Sequence, residues 1–328
     1  MRTKTVKGIT ISRLRLAIQV TAIIIINLGL FGVAVIATGL LPSGLPMPTF
    51  ACHYFEGGIA DCFIYQLQHY LIAGWDSYIF LVITIFLFAI MSVSLGRVWC
   101  GWVCPVGFIQ DLLTHVRRNL RVRYVRLSSG LNDGLSQVRY LFITVVVLLS
   151  SIVGMPFISA ASRRGLDLPY CQICPAKPLL LFLQGALGII RWPSIQLTGW
   201  GMETAVTLIS IVSLSIFVTG AFTARRFWCR FCPMGGLIAL ARKVSLFSIS
   251  KDTQKCTKCG ICMRICPVQV TEVYEERGEK EEKDVTSSRC TLCTRCIEMC
   301  PEEKCLKLNF MGKPIYMSKA WVEKYHVP

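Results

Sequence analysis

Cys256-x-x-Cys259-x-x-Cys262-x-x-x-Cys266-Pro267 and then Cys290-x-x-Cys293-x-x-Cys296-x-x-x-Cys300-Pro301 decide how the rest of this 328-residue chain is read. Thiolates at every third residue wrap three corners of an iron–sulfur cubane, and the fourth cysteine of each run, set before a proline, belongs to the other cube. The spacing predicts two [4Fe-4S] groups, one on Cys256, Cys259, Cys262 and Cys300 and one on Cys290, Cys293, Cys296 and Cys266. Structural zinc also uses C-x2-C pairs, but a tetrahedral ion does not need three thiolates at this pitch followed by C-P. Disulfides carry no such periodicity.

Composition says where this segment sits. Hydrophobic content of 53%, charged content of 16% and a mean hydropathy of +0.55 exclude an ordinary soluble domain and predict membrane spans. The net charge of +16 is uneven: residues 245–328 hold 14 Lys and Arg against 12 Asp and Glu, leaving 21 against 7 in the first 244. An excess on the apolar part is an anchoring feature and not a nucleic-acid patch. Apolar stretches over residues 16–41, 78–95, 140–158 and 204–223 are long enough to be spans. Pro178 to Ile190 has 13 residues and fits a re-entrant or interfacial helix.

The expected fold is therefore an α-helical membrane domain of four transmembrane helices, residues 1–244. It is followed by an α+β two-cluster domain of the bacterial ferredoxin type, residues 245–328. Basic residues precede the first span (Arg2, Lys4, Lys7, Arg13, Arg15), separate the second from the third (Arg97, Arg117, Arg118, Arg121, Arg123, Arg126, Arg139) and follow the fourth (Arg225, Arg226, Arg230, Arg242, Lys243), whereas residues 42–76 hold no Lys or Arg. The positive-inside rule then puts both termini and the cluster domain on the cytoplasmic side of the inner membrane.

The membrane part repeats itself. Arg97-Val-Trp-Cys100-Gly-Trp-Val-Cys104-Pro105-Val-Gly107 is matched by Arg226-Phe-Trp-Cys229-Arg-Phe-Cys232-Pro233-Met-Gly235 with one residue deleted. The outer loops correspond more loosely: Cys52 and Cys62 precede LQHYLIAGW, and Cys171-x-x-Cys174-Pro175 precedes LQGALGIIRW. Pseudo-twofold repeats bring equivalent cysteines face to face. Cys100, Cys104, Cys229 and Cys232 are thus expected to share one further cluster at the inner face, with Arg97, Arg226 and Arg230 offsetting its charge. Cys52, Cys62, Cys171 and Cys174 form either an outer-face cluster, making the chain a transmembrane wire, or structural disulfides. Cys305, left over from 17 cysteines, is expected to pack in a core.

A C-x3-C-P motif after one span, repeated two spans later and followed by the ferredoxin array, resembles the NapH-type membrane polyferredoxins. That family takes in a quinol-dehydrogenase membrane subunit of periplasmic nitrate reduction, the C-terminal part of a nitrous-oxide-reduction regulator and a methylamine-utilisation ferredoxin-type protein. The resemblance implies a four-helix subunit moving electrons between the quinone pool or cytoplasmic carriers and an extracytoplasmic partner. It carries over to Cys100, Cys104, Cys229, Cys232 and the eight ferredoxin cysteines, but not to the four outer ones. The chain departs from the pattern in its second motif, Cys229-x-x-Cys232-Pro233, and shows neither the regulator's large extracytoplasmic domain nor its S/T-G-A-T flavin motif.

Haem is not expected, because His53, His69, His115 and His326 all avoid mid-span positions. His69 with Gln66, Gln68 and Tyr70 either meets a quinone head group or is simply part of an interfacial helix. Glu275 to Asp284 reads as a solvated loop. The function expected is that of an electron-transfer subunit of an oxidoreductase complex, with other subunits, quinone or quinol, and membrane lipid as partners and no nucleic acid. The alternative is a redox sensor or maturation factor; a mere anchor needs one span and no repeated cysteine motif.

Overall fold

A computed structural model describes residues 11–23, 47–49, 60–73, 77–155, 168–186, 202–276 and 282–319. The first part runs through α1 (Ile11–Ala22), a short parallel pair β1 (Met47–Thr49) and β2 (Ala60–Cys62), α2 (Phe63–Ala73), α3 (Tyr78–Ser94), α4 (Val98–Trp102), α5 (Pro105–Asn119), α6 (Ser129–Val153), α7 (Pro169–Ile173), α8 (Ala176–Ala186), α9 (Met202–Thr223) and α10 (Pro233–Leu240). Helix α6 starts where the Ser128 hydroxyl accepts from Leu131 N, an N-cap that satisfies one otherwise unpaired amide.

Two segments, Ser129–Val153 and Thr204–Thr223, are long and apolar enough to cross a membrane; Tyr78–Ser94 is apolar but shorter. Only 22% and 17% of the two apolar windows are buried, so most of each faces outward. Ile79 and Phe86 on α3, Leu141 and Leu148 on α6, and Val212 on α9 point outward, while Thr84, Ser92 and Ser150 are buried. Apolar outside with small polar residues at the helix contacts is the pattern of helices packed in lipid. The helix of the third stretch begins earlier than residue 140, at Ser129, and ends at Val153. Of the first stretch only residues 16–23 lie within the described residues.

Helix α2 packs against both α3 and α6, and α10 against α6. The approach of α6 to α2 is close: a Cβ on Gly154 would stand 2.3 Å from Leu71 O. Short helices α7 and α8 turn back between the long ones, with Leu180 fully buried.

The second part contains β3 (Phe247–Asp252), α11 (Ile261–Ile265), α12 (Glu272–Glu275), β4 (Glu282–Asp284), α13 (Arg295–Glu298), β5 (Leu306–Phe310) and β6 (Lys313–Met317). Its strands form one antiparallel sheet in the order β4-β3-β5-β6. Ile249, Val268, Val270, Val285, Leu292, Ile297 and Leu308 fill the core beneath it. Cys305 is buried there, its Sγ 3.6 Å from Asp252 O. The acidic run expected as a loop is structured at both ends, by α12 and by the edge strand β4, whose three residues are exposed. Charged residues on an edge strand block further strand pairing.

Candidate functional site

Two hollows lie within the second part. One is walled by Cys256, Cys259, Cys262 and Cys300. The other is walled by Cys266, Cys290, Cys293 and Cys296, and Cys262 borders it as well. Empty space within them is about 370 and 380 Å³. The loops reach this shape through left-handed backbone. Lys258 (φ 58°) and Gly260 (φ 72°) flank Cys259, and Leu292 (φ 48°) and Thr294 (φ 60°) flank Cys293. Three of these four are not glycine, and each such residue costs about 1–2 kcal/mol, a strain that persists where function over-determines the backbone.

Backbone amides point at sulfur: Val270 N to Cys266 Sγ at 3.3 Å and Leu292 N to Cys290 Sγ at 3.4 Å. Burial first, and the neighbouring thiols second, push Cys290 up to about 12 and Cys266 up to about 11. Thiols so reluctant to ionise alone are the kind a metal centre deprotonates on binding. Among the described residues no three His, Cys, Asp or Glu side chains gather closely enough to hold a single ion. A tetrahedral zinc needs thiolates about 2.3 Å from one point; cysteines spread over the wall of a hollow fit a multi-iron cube instead.

A third and larger hollow, with about 960 Å³ of empty space, lies in the first part. It is more than twice the size of either of the others. Cys62, Cys100, Cys104, Cys171, Cys174, Cys229 and Cys232 all line it. Cys171, on α7, and Cys174, which caps it, thus border the same cavity as the cysteines expected at the inner face. Cys52 lies outside the described residues. Within the cavity the thiols fall into two sets. Cys104 and Cys232 have Cys100 and Cys229 as their electrostatic neighbours, and Cys171 has Cys62 and Cys174. Between the sets stands Tyr170, whose hydroxyl donates to Cys174 and whose other neighbours are Cys232 and Cys62. Among the described cysteines there is no disulfide.

The prolines explain the local geometry. A residue before proline is pushed out of the helical region, and Cys104 (ψ 121°), Cys174 (ψ 122°) and Cys232 (ψ 121°) share one extended conformation. Helices α5 and α10 start at the following proline, and α8 one residue beyond it. The amides of Gly107, Gly235 and Ala176 then face the sulfurs of Cys104, Cys232 and Cys174. Helix N-termini favour negative charge, which suits thiolate. The repeated arginine and glycine cross over between motifs. A Cβ on Gly235 would sit 3.0 Å from Arg97 Nη2, and one on Gly107 3.7 Å from Arg226 Nη2.

The arginines behave differently from a charge-only reading. Arg97, Arg139, Arg226 and Arg230 are buried. Arg139 donates to Ser288 O and Oγ at 3.2 and 3.1 Å, Arg97 donates to Ser288 O, and Arg230 donates to Pro267 O at 3.2 Å. They clasp the ferredoxin part against the helices. Asp111, which the sequence reading passed over, gathers Arg226 (2.7 Å), Arg295 (3.5 Å) and Arg15 (3.7 Å), joining three separate regions. Helix α4 is pressed on the Cys290–Cys293 loop. Trp102 Nε1 donates to Leu292 O at 3.0 Å, and a Cβ on Gly101 would stand 2.3 Å from Thr291 O. The cavity thus packs beside the second hollow, which shares Cys262 with the first, and Cys259 on the first is exposed.

The grouping expected for a quinone is not one face. His69 is exposed and stacks on Tyr65, whereas Gln66, Gln68 and Tyr70 are buried.

Residues 77–123 and 205–251 each match one family model, described as a 4Fe-4S binding domain, and residues 248–301 match a 4Fe-4S dicluster domain. The double match falls on the two halves that carry the repeated motif. An uncharacterized protein of Methanocaldococcus jannaschii is 28% identical over 67% of this chain and 78% of its own length. The putative electron transport protein YccM of Escherichia coli is 26% identical over 56% of this chain and 44% of its own length. The ferredoxin-type protein NapH of Haemophilus influenzae is 28% identical over 63% and 61%. The chain thus covers less than two thirds of the last two relatives. No solved structure matches it.

Proposed function

We propose, for a chain that belongs to the NapH-type 4Fe-4S polyferredoxins and is an iron–sulfur electron-transfer protein, that it is the membrane subunit of a redox complex. In this reading it passes electrons between its ferredoxin face and the membrane cavity, and on to the quinone pool or an extracytoplasmic partner. Cys256, Cys259, Cys262 and Cys300 hold one [4Fe-4S] group, and Cys266, Cys290, Cys293 and Cys296 hold the second. Cys100, Cys104, Cys229 and Cys232 hold a third, and Cys62, Cys171 and Cys174 belong to a fourth, for which Cys52 is the remaining cysteine. Each group, when bound, supplies a one-electron carrier.

The chain's own residues do the rest. Left-handed loops and helix N-termini aim amides at the sulfurs, and apolar walls exclude water. Asp111 and the buried arginines hold the ferredoxin part in register. In this reading α3, α6 and α9, together with the span expected over residues 16–41, cross the cytoplasmic membrane with both termini inside, a topology that the charge asymmetry favours.

The observation that carries this reading is the close approach of Gly101, next to the cavity-lining Cys100, to Thr291 in the wall of the second hollow, because it brings the two cysteine sites together. Iron and acid-labile sulfide are to be counted in the full chain, purified anaerobically, and in Cys104→Ala and Cys232→Ala variants. Four groups give about sixteen irons per chain, with a fall in both variants. About eight irons in all three proteins would defeat the membrane sites.

A further inference from the structure

Two glutamines occupy equivalent places around the cavity. Gln68 follows Cys62 by six residues, and Gln110 follows Cys104 by six. Both side chains are fully buried. Each turns Nε2 back on its own helix, Gln68 to Ile64 O at 3.0 Å and Gln110 to Val106 O at 3.3 Å. Each presents the same Nε2 to the first cysteine of a C-x-x-C-P turn, Gln68 to Cys171 Sγ at 3.7 Å and Gln110 to Cys229 Sγ at 3.4 Å. Each Oε1 accepts from the backbone N–H just before that cysteine, Tyr170 N at 2.8 Å and Trp228 N at 2.9 Å.

The correspondence extends to the turns, since Tyr170-Cys171-Gln-Ile-Cys174-Pro175 parallels Trp228-Cys229-Arg-Phe-Cys232-Pro233. The fold therefore builds the same bracket twice. A cysteine just ahead of a helix is followed by a glutamine on that helix, and an aromatic-Cys-x-x-Cys-Pro turn closes onto it. One bracket uses α2 with the turn before α8, and the other uses α5 with the turn before α10. This pairing runs across the two sequence halves and equates the outer cysteine set with the inner one.

An amide buried among apolar side chains is costly unless its donors and acceptor are used. Leucine would fill either place without that cost. What the amide adds is a fixed backbone N–H just ahead of the cysteine and a donor aimed at its sulfur. A donor on a cluster's sulfur stabilises the extra negative charge of the reduced state, so it raises the reduction potential.

We propose that Gln68 and Gln110 are matched positioning residues, each orienting one C-x-x-C-P turn and raising the potential of the iron–sulfur group on that turn. The inference rests on the reading that the cavity holds two groups. Because each glutamine reaches one set only, the two groups are tuned separately.

The full chain, purified anaerobically, is to be compared with Gln68→Leu, Gln68→Glu, Gln110→Leu and Gln110→Glu by iron content and by redox titration followed by electron paramagnetic resonance. The Glu variants keep the oxygen that accepts from Tyr170 N or Trp228 N and therefore keep their iron. Gln68 variants should lower the potential of one membrane signal and Gln110 variants that of the other. The expected shift is about tenfold in the redox equilibrium, which is 59 mV for one electron. The ferredoxin signals should stay in place. Unmoved potentials in iron-loaded Glu variants, one signal moved by both glutamines, or iron lost equally from all four variants would overturn the proposal. A wild-type chain with only the ferredoxin irons would instead overturn the two-group reading beneath it.

Discussion

Replacing Gly101 by alanine tests how the ferredoxin part is seated. The new Cβ would stand 2.3 Å from Thr291 O, with the backbone of Cys293 at 3.3 Å. Non-bonded heavy atoms settle near 3.5–4.0 Å, so the loop must retreat by about 1 Å. Neither side yields easily, because Gly101 O already accepts from Gln19 and Arg226 and the Leu292 carbonyl is held by Trp102. Overpacking of this kind costs about 1–3 kcal/mol. At 1.4 kcal/mol per tenfold, the undocked population rises by about fivefold to a hundredfold. Amide hydrogen exchange of the full chain reads this directly: exchange across residues 290–294 should accelerate by that factor while the β3–β5 amides stay protected. Gly134→Ala is the control, since nothing lies within 4 Å of its added Cβ; it should leave exchange unchanged and stabilise α6 by about 0.5–1 kcal/mol. Unaltered exchange over residues 290–294 in Gly101→Ala would refute the docking argument.

Other consequences follow from the same contacts. Burial alone would raise the pKa of Asp111, but Arg226 and then Arg295 outweigh it and hold the carboxyl well below the usual range. A depressed folded value gives stability that is full above the unfolded pKa, about 3.9, and is lost only as pH falls below it. Docking should therefore be flat from pH 7 to about pH 5, and Asp111→Asn should weaken it at every pH in that range. A docking midpoint between pH 5 and 7 in the wild-type chain would contradict this assignment. Val212→Lys, on the outward face of α9, should cost about 2.5–3.5 kcal/mol of membrane insertion. In water the same change would be near neutral, so normal yield in the membrane fraction would count against lipid around α9.

The chemistry was more legible than the assembly. Cysteine spacing is a local property, so the array at Cys256 to Cys300 and the repeated turns at Cys100 and Cys229 can be read from the chain directly. Proline after cysteine carries the ψ near 121° seen at Cys104 and Cys232. Less legible is how far α7 returns, so the meeting of Cys171 and Cys174 with the repeated turns in one cavity leaves no mark in the spacing. Charge counting gives Arg139 a topological meaning only, and Arg97 and Arg226 no more than a charge-offsetting one besides. A guanidinium binding a distant carbonyl leaves no periodicity, so the clasp on Ser288 and the hub at Asp111 emerge only in three dimensions. Gln68 and Gln110 did leave a trace, the common six-residue offset from a cysteine, but a single glutamine in an apolar helix does not reveal its partner.

The most direct test of the account is whether electrons entering at the ferredoxin face reach the membrane cysteines. The full chain in sealed vesicles, ferredoxin side outward, is to be reduced by a membrane-impermeant donor and freeze-quenched for electron paramagnetic resonance. The account predicts that the ferredoxin signals appear first, that signals abolished by Cys104→Ala or Cys174→Ala follow them, and that Gly101→Ala slows only this second phase. Reduction that stops at the ferredoxin signals in the wild-type chain, or a second phase indifferent to Cys104 and Cys174, would contradict it.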